Sequence, residues 1–280
     1  MSSAALLRAR IESSLGESFS STLLLRERPA LLTVPIGVAA LDTLTGGLPR
    51  GALTEIVGPP SSGRTSVMLT ALAGATRRQE TCALVDASDS FDPAAALVAG
   101  VDLERLLWVR CSEQSTPASA KRRGKQKTLG RLEQVLKITD LLLQGGGFGM
   151  VVLDLGDISS QSARCIPLTS WFRFRRTVEP TATVLLLVEQ EACAKTCASL
   201  VVRLERTATC ACNSAPVSPK RDDAAACNLA SRDDAAVPAN NVVSHAALLK
   251  GMRLRAEVLR SWTRRKPMQS VAANFKLQTA

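Results

Sequence analysis

The chain has 280 residues, 46% of them apolar and 21% charged, enough for one substantial α/β domain with its own core and a small appendage. A net charge of +10 favours a polyanion or an acidic partner. Six Phe, three Trp and no Tyr leave too few rings for a platform that stacks single-stranded bases. No stretch reaches the ~18 uncharged apolar residues of a membrane helix. The opening "MSSAALLRARIESSLG" lacks the continuous apolar core of a signal peptide, so the chain is expected in the cytosol.

In chain order, Leu6, Leu7, Ile11 and Leu15 sit at helical spacing, and the short helix they predict ends at Gly16. With the polar linker that follows, it makes residues 1–30 an appendage. "LLTVPIGVAALDTLTGGLPRG" predicts a short strand leading into an apolar helix closed by Gly46-Gly47. "ALTEIVG" reads as a strand, with a helix from Gly63 to about Gly74. "ETCALVDAS" and "LLWVRCS" are further strands around a helix at 92–100. Residues 113–130 form a polar, basic loop, and a helix is expected from about Gly130 to Gln144. "MVVLDLG", "TATVLLLVE" and "SLVVRLER" supply three more strands, with a helical or looped stretch to residue 180 between the first two. Strands alternating with helices imply a mostly parallel sheet covered on both faces, and continuously apolar strands suit its centre. Residues 207–241, rich in Ala, Ser, Asp, Asn and Pro without periodicity, predict a disordered insertion. Residues 242–280 predict antiparallel terminal strands, "GMRLRAEVLRSW" and "ANFKLQ", and a basic tail. The core is thereby bounded at 31–206.

Eight cysteines raise the question of bridges or zinc. Cys193-x3-Cys197 and Cys210-x-Cys212, with His245 the only histidine, are poor zinc spacings, and small buried or idle thiols are expected instead. Two basic segments offer contacts to DNA phosphates or an acidic partner: "SAKRRGKQK" at 119–127 and "WFRFRRT" at 171–177. A solvated loop and an amphipathic edge packed on the core explain them equally well.

The chemistry concentrates in "GPPSSGRTS", residues 58–66, between a predicted strand and a predicted helix. Gly58-x4-Gly63-Arg64-Thr65 matches a phosphate-binding loop except that Arg64 stands where lysine is required. Glycines let backbone N–H groups face the ligand, and the helix start adds a favourable dipole. Gly58, Ser62, Gly63, Arg64, Thr65 and Ser66 are therefore the candidate nucleotide contacts, against the plainer reading of a Gly-Pro turn. An acid at the end of a neighbouring buried strand should complete such a site by holding magnesium, and Asp154 in "MVVLDL" is the candidate, with Thr65 as a second ligand.

From residue 31 to 206, and again over the terminal strands, the chain resembles the RecA recombinase family. "TVPIGVAALDTLTGGLPRGALTEIVGPPSSGRTS" is similar to the family's entry segment and phosphate loop. Asp92-Pro93 and Gly100-Val101-Asp102 fall on its Asp-Pro and Gly-Val-Asp. Gln190 in "LLLVEQ" falls on the glutamine that senses the γ-phosphate. The resemblance implies a RecA-like phosphate-loop core that takes ATP and magnesium.

Several departures weigh against turnover. Guanidinium is planar and larger than the ammonium it replaces at position 64. Ser88 stands at the position of the catalytic glutamate and cannot deprotonate water as a carboxylate does. Asp89, one residue on, is a displaced substitute, so no catalytic residue is assigned beyond the candidates Asp89 and Gln190. Ala95 falls near the family's adenine-packing tyrosine. The two DNA-holding loops are altered, the first short and bulky ("SSQSARCIPLTSWFRFRRTVE") and the second nearly gone ("EQEACAKTCASLVVRLE").

A RecA core with these changes resembles the ImuA family, RecA-like accessory proteins of a damage-inducible mutagenic cassette. That resemblance implies an adaptor in translesion synthesis. Its partners would be the polymerase-like protein ImuB and an error-prone replicative-type polymerase, with RecA and DNA as further contacts. The alternative is an active DNA-stimulated ATPase, a divergent recombinase or mediator in which Arg64 and Asp89 do the work.

Overall fold

The computed structural model describes residues 31–111, 124–211, 249–262 and 275–276. The chain divides into two units, Met1–Leu31 and Leu32–Ala280, and the architecture below is that of the second. The expected N-terminal helix, His245 and most of 207–241 lie outside the described residues.

Strand β1 (Thr33–Val34) leads to helix α1 (Ala39–Thr45), which ends at Gly46 in the left-handed conformation, φ 78°. Asp42 ties the approach down by accepting the backbone N–H groups of Ile36 and Gly37. Then come β2 (Leu48–Pro49), β3 (Ala52–Val57), α2 (Arg64–Arg77), β4 (Cys82–Asp86), α3 (Pro93–Val98) and β5 (Leu106–Arg110). After these follow α4 (Gly124–Gly145), β6 (Met150–Asp154), α5 (Ser160–Ala163), α6 (Leu168–Val178) and β7 (Val184–Glu189). The chain closes with β8 (Leu200–Ala211), β9 (Leu249–Arg260) and β10 (Phe275–Lys276).

Eight strands form one sheet in the order β10-β9-β8-β3-β7-β6-β4-β5. Every pairing from β8 to β5 is parallel, whereas β9 and β10 join antiparallel. This is the mostly parallel, RecA-like α/β sheet with antiparallel terminal strands that the sequence predicts. Successive side chains of each central strand point to opposite faces, so both faces are dry. Ile56, Leu84, Val152 and Leu186 pack with Leu41, Val67, Met68, Leu72 and Ala96 on the side of α1, α2 and α3. Val57, Val85, Leu153 and Leu187 pack with Leu132, Val135, Trp171, Phe174 and Val178 on the side of α4 and α6.

Two boundaries change, those of α4 and β8, and two open alternatives are resolved. Helix α4 starts at Gly124, inside the segment read as loop, because Lys and Gln are good helix formers that lack an apolar stripe to announce them. The stretch 168–178 is a helix, and "WFRFRRT" lies on it with Trp171 and Phe174 fully buried, edge to face at 5.9 Å. Arg173 there pairs with Asp140 of α4 at 2.9 Å, and Arg175 donates to the Thr196 carbonyl at 3.4 Å. The packed amphipathic edge thus accounts for the rings, although Phe172 stays half exposed. Finally, β8 runs to Ala211, past 206, because β9 continues to pair with it, Ala211 opposite Leu249.

Candidate functional site

The carboxyl ends of β3, β6 and β7 meet at one edge of the sheet, where ligands of open α/β folds bind. Asp154 and Gly58 do not come from adjacent strands as the sequence reading expects. Strand β7 lies between, pairing Val57 with Glu189 and Asp154 with Val188. The buried run "VLLLVE" fills the slot, and its last residue leads into Gln190.

The Gly58 N–H donates to the Glu189 carbonyl at 3.2 Å, which fastens the loop to β7. A Cβ at Gly58 would lie 2.3 Å from the Leu204 carbonyl oxygen, so only glycine fits. The chain then reverses through Ser61, φ 61°, and Gly63, φ 87°, into the first turn of α2. A Cβ at Gly63 would lie 2.3 Å from Leu254 Cδ1, so the terminal strand β9 braces the loop from behind. No side chain caps the start of α2, and the buried Ser62 Oγ has no hydrogen-bond partner among the described residues. Thr65 is exposed and Ser66 half-buried on the first turn, with the Ser66 carbonyl accepting from Thr70 Oγ1 at 2.8 Å.

Three of the candidate residues converge on Gly156. Arg64, 7% exposed, donates from Nη2 to the Gly156 carbonyl at 3.3 Å. Gln190 donates from Nε2 to the same oxygen at 3.2 Å. Asp154 Oδ1 accepts the Gly156 N–H at 2.8 Å. Burial pushes the Asp154 carboxyl up to about 6, with Asp86 and Asp157 adding to the rise and the Gly156 N–H and Arg64 opposing it. Burial also lowers the Arg64 guanidinium below its ordinary value, against the attraction of Asp154, Asp157 and Glu189. The guanidinium still carries its charge at any physiological pH. Its Nη1 is buried and has no partner among the described residues.

Asp89 is turned elsewhere. With φ 57°, it forms a two-point contact to Arg110, Nε to Oδ1 at 2.6 Å and Nη2 to Oδ2 at 2.7 Å, which holds its carboxyl below the usual range. The loop carrying Ser88 and Asp89 is organised by the buried Asp86. That carboxylate accepts the N–H groups of Ser88, Ser90 and Phe91 and the Trp108 indole N–H. Asp92 caps α3 by accepting the Ala94 N–H at 2.9 Å, and Ala95 is exposed on that helix.

Sequence reasoning missed a second polar cluster just beyond Gln190. Glu55, Glu189 and Cys193 bring their ligand atoms within 4.8 Å of one another, all buried. Glu55 Oε1 accepts the N–H groups of Cys193 at 2.9 Å and Ala194 at 2.6 Å. The Cys193 thiol donates to Glu189 Oε2 at 2.7 Å. Burial and the adjoining Glu55 push the Glu189 carboxyl well above its ordinary value. Burial likewise raises the Cys193 thiol, which stays protonated and inert. The segment thus clamped is the one that the sequence reads as a vestige of a DNA loop. Arg260 of β9 also donates to the Lys195 carbonyl and secures it further. The only sequence signal was two glutamates inside otherwise apolar strands.

The orphaned Ser62 Oγ, Arg64 Nη1 and uncapped start of α2 all lack an acceptor or donor that phosphate oxygens would supply, so the loop fits a phosphate group. Asp154, with one oxygen on the Gly156 N–H, and the exposed Thr65 hydroxyl would hold its magnesium. That metal would supply charge neutralisation between the phosphates.

A parallel sheet with a glycine loop at its carboxyl edge, leading into a helix start, defines the class of phosphate-loop α/β proteins. Within that class, the RecA N-terminal domain matches residues 4–159, more than half of the chain, which therefore belongs to the RecA family. It is 38% identical to the RecA protein of Salinispora tropica over 150 residues, 52% of this chain and 37% of that protein. To RecA of Rickettsia canadensis it is 36% identical over 150 residues, 52% and 38% of the two chains. To RecA of Brucella anthropi it is 40% identical over 124 residues, 44% and 29%. The chain thus spans little more than a third of the curated relatives it matches. No described helix is long and apolar enough to cross a membrane.

Proposed function

We propose that this chain is an accessory protein of the ImuA type, acting in the bacterial DNA-damage response and translesion synthesis. On this reading it keeps the phosphate loop without turning nucleotide over. The observation that carries the reading is the side chain of Arg64. It is folded into the site against Gly156 instead of reaching out along the loop, and Asp89 is occupied by Arg110. Gly58, Ser62, Gly63, Arg64, Thr65 and Ser66 contact the phosphates, and Asp154 with Thr65 holds any metal. With serine at position 88, no carboxylate at that place activates water. The clamped segment after Gln190 supports a role other than gripping DNA between mobile loops, and ImuB with the error-prone polymerase are then the partners.

The test is ATP binding by calorimetry together with phosphate release, with and without single-stranded DNA. The expected outcome is binding without turnover, unchanged by DNA. Tight binding with DNA-stimulated turnover that Asp154→Ala abolishes would establish the recombinase or mediator instead. In cells, deleting the gene should remove damage-induced mutagenesis and spare homologous recombination. The opposite pattern would overturn the adaptor.

A further inference from the structure

The placement of Arg64 bears on a question that the loop pattern leaves open, namely which cation accompanies the phosphates. A lysine at this position is a single point charge on a flexible stem and leaves room for a metal beside it. Arg64 is different: it is 7% exposed, and its guanidinium is fixed on the Gly156 carbonyl through Nη2 at 3.3 Å. A methyl group on Gly156 would lie 3.0 Å from Asp154 Oδ1 and 3.7 and 3.8 Å from Arg64 Nη1 and Nη2. Carboxylate and guanidinium therefore both border Gly156, although no ion pair joins them. The space beside Gly156 is where Asp154 would hold a metal, and a divalent ion entering it would meet a fixed positive charge at close range in a partly desolvated setting. The second arm of the fork, Nη1, is buried and unpartnered among the described residues, placed to donate to an anion.

We infer that Arg64 is the resident cation of this site: its guanidinium, held on the Gly156 carbonyl, takes the place of the divalent metal, so that phosphates bind without one. The inference rests on the reading that the loop takes nucleotide phosphates, and it makes Arg64 a specificity-determining residue. It also accounts for binding without hydrolysis. A guanidinium fixed on Gly156 neutralises ground-state charge but does not bridge the phosphates as the transferring group departs.

The experiment is calorimetric titration of the full chain with ADP and with pyrophosphate, in magnesium and again in EDTA. The wild-type affinities should agree within about threefold. Arg64→Lys should restore a preference for magnesium of about tenfold or more. A wild-type affinity that falls more than about tenfold in EDTA would overturn the inference and leave the nucleotide reading intact. No binding under either condition would overturn both. A second measurement needs no variant: water-proton relaxation of Mn²⁺ added to the wild-type chain with ADP. Enhancement no greater than that of Mn²⁺ with ADP alone is expected, and a larger enhancement, reporting a protein-held metal, would refute the assignment.

Discussion

Two buried acidic pockets lie on adjoining strand ends, and the protein handles them differently. At the end of β6, Asp154 has a guanidinium for a neighbour, yet burial still lifts its carboxyl to about 6. At the ends of β3 and β7, Glu55 and Glu189 have only backbone N–H groups and a thiol. There Glu189 is driven well above its ordinary range. Burial outweighs favourable contacts in both, but only the first pocket keeps an unpartnered donor, Arg64 Nη1. The first therefore keeps a donor open. The second turns its contacts inward, apart from the unpartnered Glu55 Oε2, and those contacts hold the chain after Gln190.

Breaking the closed pocket should have the largest effect. Glu55→Ala orphans the Ala194 N–H and leaves the Cys193 N–H only its 3.2 Å bond to Glu189 Oε1, and at about 1–3 kcal/mol per buried group the loss should be about 3 kcal/mol in urea unfolding. An unchanged midpoint would show that the clamp is dispensable.

Next in size is the pH response of Asp154. Its folded pKa of about 6 lies above the ordinary carboxyl value of 3.8, so the folded state holds the proton more tightly than the unfolded state does. The stability due to this group is then complete below pH ~4 and falls as pH rises through ~6, by about 2–3 kcal/mol in total. Asp154→Asn should remove that fall, seen as a flatter profile of unfolding free energy between those limits.

Glu189→Gln removes the charge that burial and Glu55 disfavour and should be tolerated. The raised Glu189 pKa costs stability as pH climbs above the ordinary glutamate range, so the variant should gain on the wild type towards alkaline pH. A variant that loses stability at every pH would mean that the Glu189 charge is favoured in the fold.

The smallest effect should come from Arg110→Ala. Its pair with Asp89 is half exposed, and such surface contacts contribute little. No shift in midpoint is expected, and phosphate binding should be unaffected, since Asp89 stands apart from the Gly156 cluster.

Much of the site was legible in the chain because it is local. The loop at 58–66 announces itself through glycines at set spacing between an apolar strand and a helix. Asp154 ends one nearly uninterrupted apolar strand, and Gln190 follows another. The other parts depend on contacts distant in sequence. Gly156 matters through its carbonyl, which every residue has, and it becomes an anchor only because β6 and α2 bring it to Arg64. Leu254 reads as an ordinary strand residue until β9 adds to β8 and sets it against Gly63. Glu55 and Glu189 look like interruptions in apolar strands until β3 and β7 pair and face them together.

Residue order alone therefore determined the element sequence, the parallel sheet and the phosphate loop, since period and turn chemistry are written along the chain. Only the tertiary structure decided what those parts do with their charges. It set β7 between the loop and Asp154, turned Asp89 onto Arg110 and folded Arg64 into the site. The physical reason is that burial and long-range contact set the energy of an ionised group, and neither is a property of sequence neighbours.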